Sequence, residues 1–206
     1  MKGGELIIGK KKLKFYCDVF RGVQINKKEK GGEIENLEKF FILKYDDITT
    51  NLSLKNTINN DFKNLVSINA NKKYKDIQAQ NSDIIVPAKL IHHKPKFIDY
   101  DMSNMKFVYS FELFIIRVAD IEEIEPKFLY YLFNSDSMSE YLDEKAKEYN
   151  KGKSGNFNRI TAKMLEEIEI TVPPLQEQKK IVKEIERINN LKIEIENTFQ
   201  KIFIEN

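Results

Sequence analysis

The chain has 206 residues, of which 41% are apolar and 32% charged, with a formal net charge of +2. That composition fits a soluble globular protein with one domain of about 150 to 170 residues plus an appendage, and does not fit a disordered chain. The single cysteine, Cys17, excludes a disulfide framework or a cysteine zinc site within one chain and makes the cytoplasm the natural compartment. The longest uninterrupted apolar run near the N-terminus is only Phe40–Leu43, so neither a signal peptide nor a membrane span is expected.

The first 170 residues read as a mixed α/β domain. Phe40–Leu43, Ile84–Val86, Lys106–Ser110 and Glu112–Val118 are rich in Ile, Val, Phe and Tyr and are expected as strands, with a weaker candidate at Leu65–Ile68. Gly31-Gly32, Asn59-Asn60 and His93–Pro95 supply turns, and Asn56–Lys75 reads as a loop. The period then changes. Pro126 opens a helix with Phe128, Leu129, Leu132 and Phe133 on one face, residues Ser135–Ser137 cap a second through Tyr149, and Thr161 caps a short third carrying Met164 and Leu165.

Ile168, Ile170 and Val172 alternate with Glu169 and Thr171, the period of a half-buried strand. Pro173 forces extension on the residue before it, and Pro174 suits the first turn of a helix that begins near Leu175. Along that helix Ile185, Lys192 and Phe199 fall at heptad position a, and Ile181, Ile188, Ile195 and Ile202 at position d, with Lys192 the one polar break. Some thirty helical residues would span roughly 45 Å, more than this domain needs internally. Part of the helix is therefore expected to project and pair with another. Residues 1–172 are read as the domain and 173–206 as the helix.

Catalytic chemistry finds little support. Gly152-Lys153-Ser154 resembles the end of a phosphate loop, but the leading glycine of that motif would fall on Lys147 inside a helix. The acid-x-Lys triplets Asp143–Lys145 and Glu177–Lys179 lie on helices without an obvious partner acid, so a nuclease ranks below other readings. His92 and His93 are adjacent and would point to opposite faces of an extended segment. A DNA methyltransferase needs a glycine-rich cofactor loop and an Asn/Asp-Pro-Pro-aromatic motif, whereas Pro173-Pro174 stands between Val172 and Leu175. No cofactor or metal is expected, and the chain is read as non-catalytic.

The near-neutral net charge hides an uneven distribution. Met1–Lys30 carries nine Lys/Arg against three acids and Lys151–Lys163 four against none, while Glu112–Glu148 carries ten acids against four basic residues. A basic surface of this kind permits double-stranded DNA binding. The polar residues best suited to groove edges and phosphates are Asn71, Lys72, Lys73, Lys89, His92, His93 and Lys94 on one rim, and Lys151, Lys153, Ser154, Asn156 and Arg159 on another.

The run Ile168–Val182, IEITVPPLQEQKKIV, closely resembles the boundary between a target recognition domain and a conserved helix in the specificity subunits of type I restriction-modification systems. Phe20-Arg21-Gly22, the strand ILKYDDIT at 42–49, SDIIVP at 82–87, FLYYLFNS at 128–135 and the segment Lys151–Leu165 are similar to further family elements and follow in the same order. The resemblance implies a non-catalytic DNA-reading subunit that directs adenine methyltransferase subunits, and where present a translocating restriction subunit, to a bipartite target. Such subunits have two recognition domains, while the Pro-Pro-Leu-Gln-Glu-Gln string occurs once here. The expected form is therefore a half-subunit whose copies pair antiparallel through Ile181–Ile202; the start at Met1 favours this over a fragment. Glu177–Arg187 sums to +1 and Lys192–Glu205 to −1, which weakly favours the antiparallel sense. The competing reading is a structural adaptor that assembles partners through the helix without touching DNA.

Overall fold

The computed structural model describes residues 9–24, 39–48, 65–67, 77–89, 94–99, 106–151 and 159–203. In chain order its elements are β1 (Lys10–Lys12), β2 (Cys17–Arg21), β3 (Lys39–Leu43), β4 (Leu65–Ser67), β5 (Ile84–Pro87), β6 (Lys96–Phe97), β7 (Phe107–Tyr109), β8 (Leu113–Val118), α1 (Pro126–Asn134), α2 (Asp136–Asn150), α3 (Ala162–Glu166), β9 (Glu169–Thr171) and α4 (Leu175–Phe203). The mixed α/β architecture with a long C-terminal helix agrees with the sequence reading. Three strands were not anticipated: β1 and β6 are short and lysine-bearing, and β2, CDVFR, lacks a regular alternation.

The central sheet has the order β2-β8-β5-β6 and is antiparallel throughout. A second sheet, β4-β3-β7, combines an antiparallel and a parallel pair, and β1 pairs with β9 apart from both. The unbroken apolar runs of β5 and β8 are explained by the layering, since residues on a strand alternate between faces. Ile84, Val86, Phe114 and Ile116 enter a core shared with Leu129, Phe133, Leu142 and Leu165 of the helices. Ile85, Leu113 and Ile115 enter a second core with Leu43, Phe107 and Tyr109 of the other sheet. The central sheet is thus covered on both sides.

Several sequence signals have direct structural causes. Glu125 caps α1 and Pro126 occupies its first turn, Ser135 accepts the Met138 N–H at the start of α2, and Thr161 accepts the Met164 N–H at the start of α3. Gly22 lies against the β7–β8 turn so closely that a Cβ there would sit 2.1 Å from the Ser110 carbonyl oxygen. Ser82 adopts a φ of 70°, a left-handed conformation that favours glycine. It places Asp83, fully buried, where its carboxylate accepts two bonds of 2.7 Å from the Arg117 guanidinium, one of 2.8 Å from the Tyr109 hydroxyl and one of 2.8 Å from the Gln80 N–H. Burial, with the Asp83 charge beside it, holds the Tyr109 hydroxyl well above the usual tyrosine range.

Cys17 is buried, and burial together with Asp18 pushes its thiol up to about 12, which fits a packing role. Among the described residues no helix is long and apolar enough to cross a membrane.

Candidate nucleic-acid interface

The strand β5 ends at Pro87, and the chain continues through Ala88 and Lys89 beside Arg159 and Ile160. Lys89 and Arg159 face each other across an antiparallel bridge, with Ile160 N–H donating to the Ala88 carbonyl at 3.2 Å. Both side chains are exposed. One residue from each of the two groups inferred from sequence, Lys89 and Arg159, therefore lies at this bridge. It forms one wall of a groove of about 330 Å³ that also includes Arg21, Tyr45, Phe111 and Glu112.

Arg21 is set by the end of β2. Its Nε donates to the Phe111 carbonyl at 2.6 Å, and the guanidinium lies 5.7 Å from the Phe111 ring and 5.5 Å from the Phe114 ring. Cation–π contacts and the Phe111 hydrogen bond together hold the guanidinium in place at the groove. Gly22 permits the approach, because its N–H reaches the Leu113 carbonyl at 3.0 Å where any side chain would collide with the turn.

Tyr45 is fixed from two sides. Its hydroxyl donates to the Lys94 carbonyl at 2.7 Å, and Lys96, only 7% exposed, sits 3.8 Å from its ring centre while donating to the Tyr45 and Ile48 carbonyls. The groove is mixed in charge, with Arg21, Lys89 and Arg159 against Asp46 and Glu112. Cations suit phosphate or guanine edges, and carboxylates suit a cytosine amino group.

The other sequence candidates are distributed as follows. Lys94 is exposed and pairs with Asp136 at 3.2 Å at the start of α2, next to Tyr45. Lys151 is exposed at the C-terminus of α2. Asn71, Lys72, Lys73, His92, His93, Lys153, Ser154 and Asn156 lie outside the described residues. Arg21, Tyr45 and Phe111 were not among the candidates, although the Arg-Gly pair at 21–22 was a usable signal. The N-terminal basic run is partly engaged elsewhere: Lys12 and Lys14 both bind Glu167, and Lys11 lies 5.4 Å from the Tyr16 ring.

The joint that opened the family resemblance has a clear geometry. Gln178, fully buried, accepts from the Glu125 N–H at 2.9 Å and donates to the Glu123 carbonyl at 3.0 Å and the Pro173 carbonyl at 2.7 Å. It ties the first turn of α4 to the turn that starts α1. Val182 is also buried, and Lys127 of α1 bridges Glu186 at 2.9 Å and Asp99 at 3.3 Å. Ile181 and Ile185 are half-buried, and every residue from Arg187 to Phe203 is exposed. Ile188, Leu191, Ile195, Phe199 and Ile202 are therefore in solvent at 41 to 57% exposure, so the projecting half carries an apolar stripe.

The family model of the type I restriction modification DNA specificity domain matches residues 17–205. The fold is similar to that in a structure described as "Structural basis underlying complex assembly and conformational transition of the type I R-M system" (TM-score 0.60, 18% identity, 97% of this chain and 43% of that one). It is also similar to the HsdS subunit from Thermoanaerobacter tengcongensis (TM-score 0.56, 19% identity, 96% of this chain and 42% of that one). The chain thus spans less than half the length of either structure. No curated protein matches it. With the family model covering both the sheet domain and the long helix, the chain belongs to the type I restriction modification DNA specificity domain family.

Proposed function

We propose that the protein is a non-catalytic, sequence-specific DNA-binding subunit that directs adenine methyltransferase subunits, and where present a restriction subunit, to a bipartite target. Residues 1–172 read DNA and residues 173–206 act as spacer and dimerisation helix. Two copies pair antiparallel, so the target consists of two inverted copies of one half-site. The observation that carries this reading is the meeting of Lys89 and Arg159 beside the stacked Arg21 in a chain of the DNA specificity family. The proposed contact residues also include Lys94, whose carbonyl accepts from Tyr45, and, chosen for their chemistry in the sequence, Asn71, Lys72, Lys73, His92, His93, Lys151, Lys153, Ser154 and Asn156.

Phosphate contacts release counterions, so each one steepens the fall of affinity with salt by about 0.9 in log–log slope. Replacing Lys89 and Arg159 together by alanine is expected to weaken binding to all DNA sequences and flatten that slope by roughly two. Fluorescence anisotropy from 50 to 300 mM salt, in the presence of the methyltransferase partner, measures this. An unchanged slope would remove both residues from the interface. An adaptor that assembles partners without DNA predicts no sequence-specific binding in the same titration.

A further inference from the structure

We propose that the projecting half of α4 pairs with the same helix of a second copy in one register only, crossing between Ile193 and Glu194 and fixed by an ion pair from Lys192 to Glu196 of the second copy. This rests on the antiparallel pairing proposed above and adds to it the register and the residues that select it. In an antiparallel heptad pair each a position faces a d position, so the crossing point can move only in steps of half a heptad. Three registers bring the stripe together.

The first crosses at Asn190 and pairs Ile181 with Phe199 and Ile185 with Ile195. Ile181 and Ile185 are half-buried against their own domain, next to Gln178 and Val182. The third crosses at Asn197 and leaves Ile188 unpaired, although it is 41% exposed. The second crosses between Ile193 and Glu194. It pairs Ile188 with Phe199 and Lys192 with Ile195 within the stretch that the domain leaves exposed, and only its outermost pair, Ile185 with Ile202, uses a half-buried residue.

Charge selects the same register independently. In an antiparallel pair the a and e positions of both helices lie on one side of the seam, so a Lys at a is beside an e residue of the second copy. Only the second register makes that residue Glu196. The first places Lys192 beside Asn189 and the third beside Phe203, and neither offers a charge partner. A parallel pair would set Lys192 against its own copy. Among the described residues, neither Lys192 nor Glu196 forms an ion pair within the chain, so both are available to the second copy.

A lysine in an otherwise apolar seam therefore acts as a register key. With this crossing the two Gln178 anchors stand about 46 Å apart along the helix axis at 1.5 Å per residue.

Charge reversal on the full chain tests the register by sedimentation equilibrium without DNA, with circular dichroism as the folding control. Lys192→Glu and Glu196→Lys are each expected to weaken the dimer at least tenfold, and the double variant K192E/E196K to return it to within threefold of the parent. A double variant as weak as the singles, or single variants that dimerise like the parent, would overturn the register while leaving antiparallel pairing in place. A parent chain that stays monomeric at 100 μM, whether or not it binds DNA, would overturn both the register and the pairing; DNA reading is scored separately by the salt titration.

Discussion

Gln178 shows how one polar side chain makes a family motif necessary. It lies in the Pro-Pro-Leu-Gln-Glu-Gln string as its last residue, with its amide bonded to three backbone groups in two segments, Glu123 and Glu125 before α1 and Pro173 before α4. Burying a side-chain amide is tolerable only with such satisfaction, and removing it strands the groups it served. Gln178→Ala is expected to destabilise the protein by about 2 to 3 kcal/mol, read from the urea midpoint, because it leaves the Glu125 N–H and two carbonyls without partners. A loss below about 0.5 kcal/mol would mean that water replaces the amide and that the motif is kept for another reason. The same logic applies to Asp83, whose four accepted bonds account for an acid at 0% exposure immediately before the apolar strand β5. Ser82 before it holds a conformation suited to glycine, so the strained turn and the buried acid form one unit.

At the scale of elements, Glu167 links the N-terminal strand region to the C-terminal half of the domain. The Lys12 and Lys14 ammonium groups hydrogen-bonded to its oxygens hold its carboxyl down at about 2, against 4.5 for an ordinary glutamate. A depressed carboxyl contributes stability above the unfolded value that is lost as pH falls through the folded value, so the link weakens between about pH 4.5 and pH 2. The difference in melting temperature between the parent and Glu167→Gln should therefore be largest near neutrality and shrink as pH falls from 5 to 3. A constant difference over that range would show that Glu167 acts by packing.

The elements most legible in sequence were those whose signals are local. Pro126, Ser135, Thr161 and the Pro173-Pro174 pair marked four helix starts to within a residue or two. The β1 and β2 strands were missed because their pairing is set by partners more than ninety residues away, Thr171 opposite Lys10 and Val118 opposite Cys17. A lysine run such as Lys10–Lys12 has no alternation to reveal an edge strand. The groove was half legible for the same reason. Lys89 and Arg159 stood out as cations in polar loops, but their adjacency is a long-range bridge, and Arg21, Tyr45 and Phe111 gain a role only once three separate turns converge.

In the whole molecule, the two faces of the central sheet serve different ends. One face is packed by the helices that lead to the Gln178 joint, and the other is covered by the second sheet, beside which the groove of mixed charge opens. The central sheet connects the groove to the root of α4, and in the proposed pair the projecting helix would set the distance to the second copy's domain. In the pair proposed above, sequence specificity would belong to the two chains together: each groove would read one half-site, and helix length would fix the spacing between them. Base-resolution mapping of modified adenines in host DNA, with and without the gene, tests this most directly. The account predicts that one bipartite motif, built of two inverted copies of a half-site, loses its modification when the gene is removed; an identical map in both strains would contradict it.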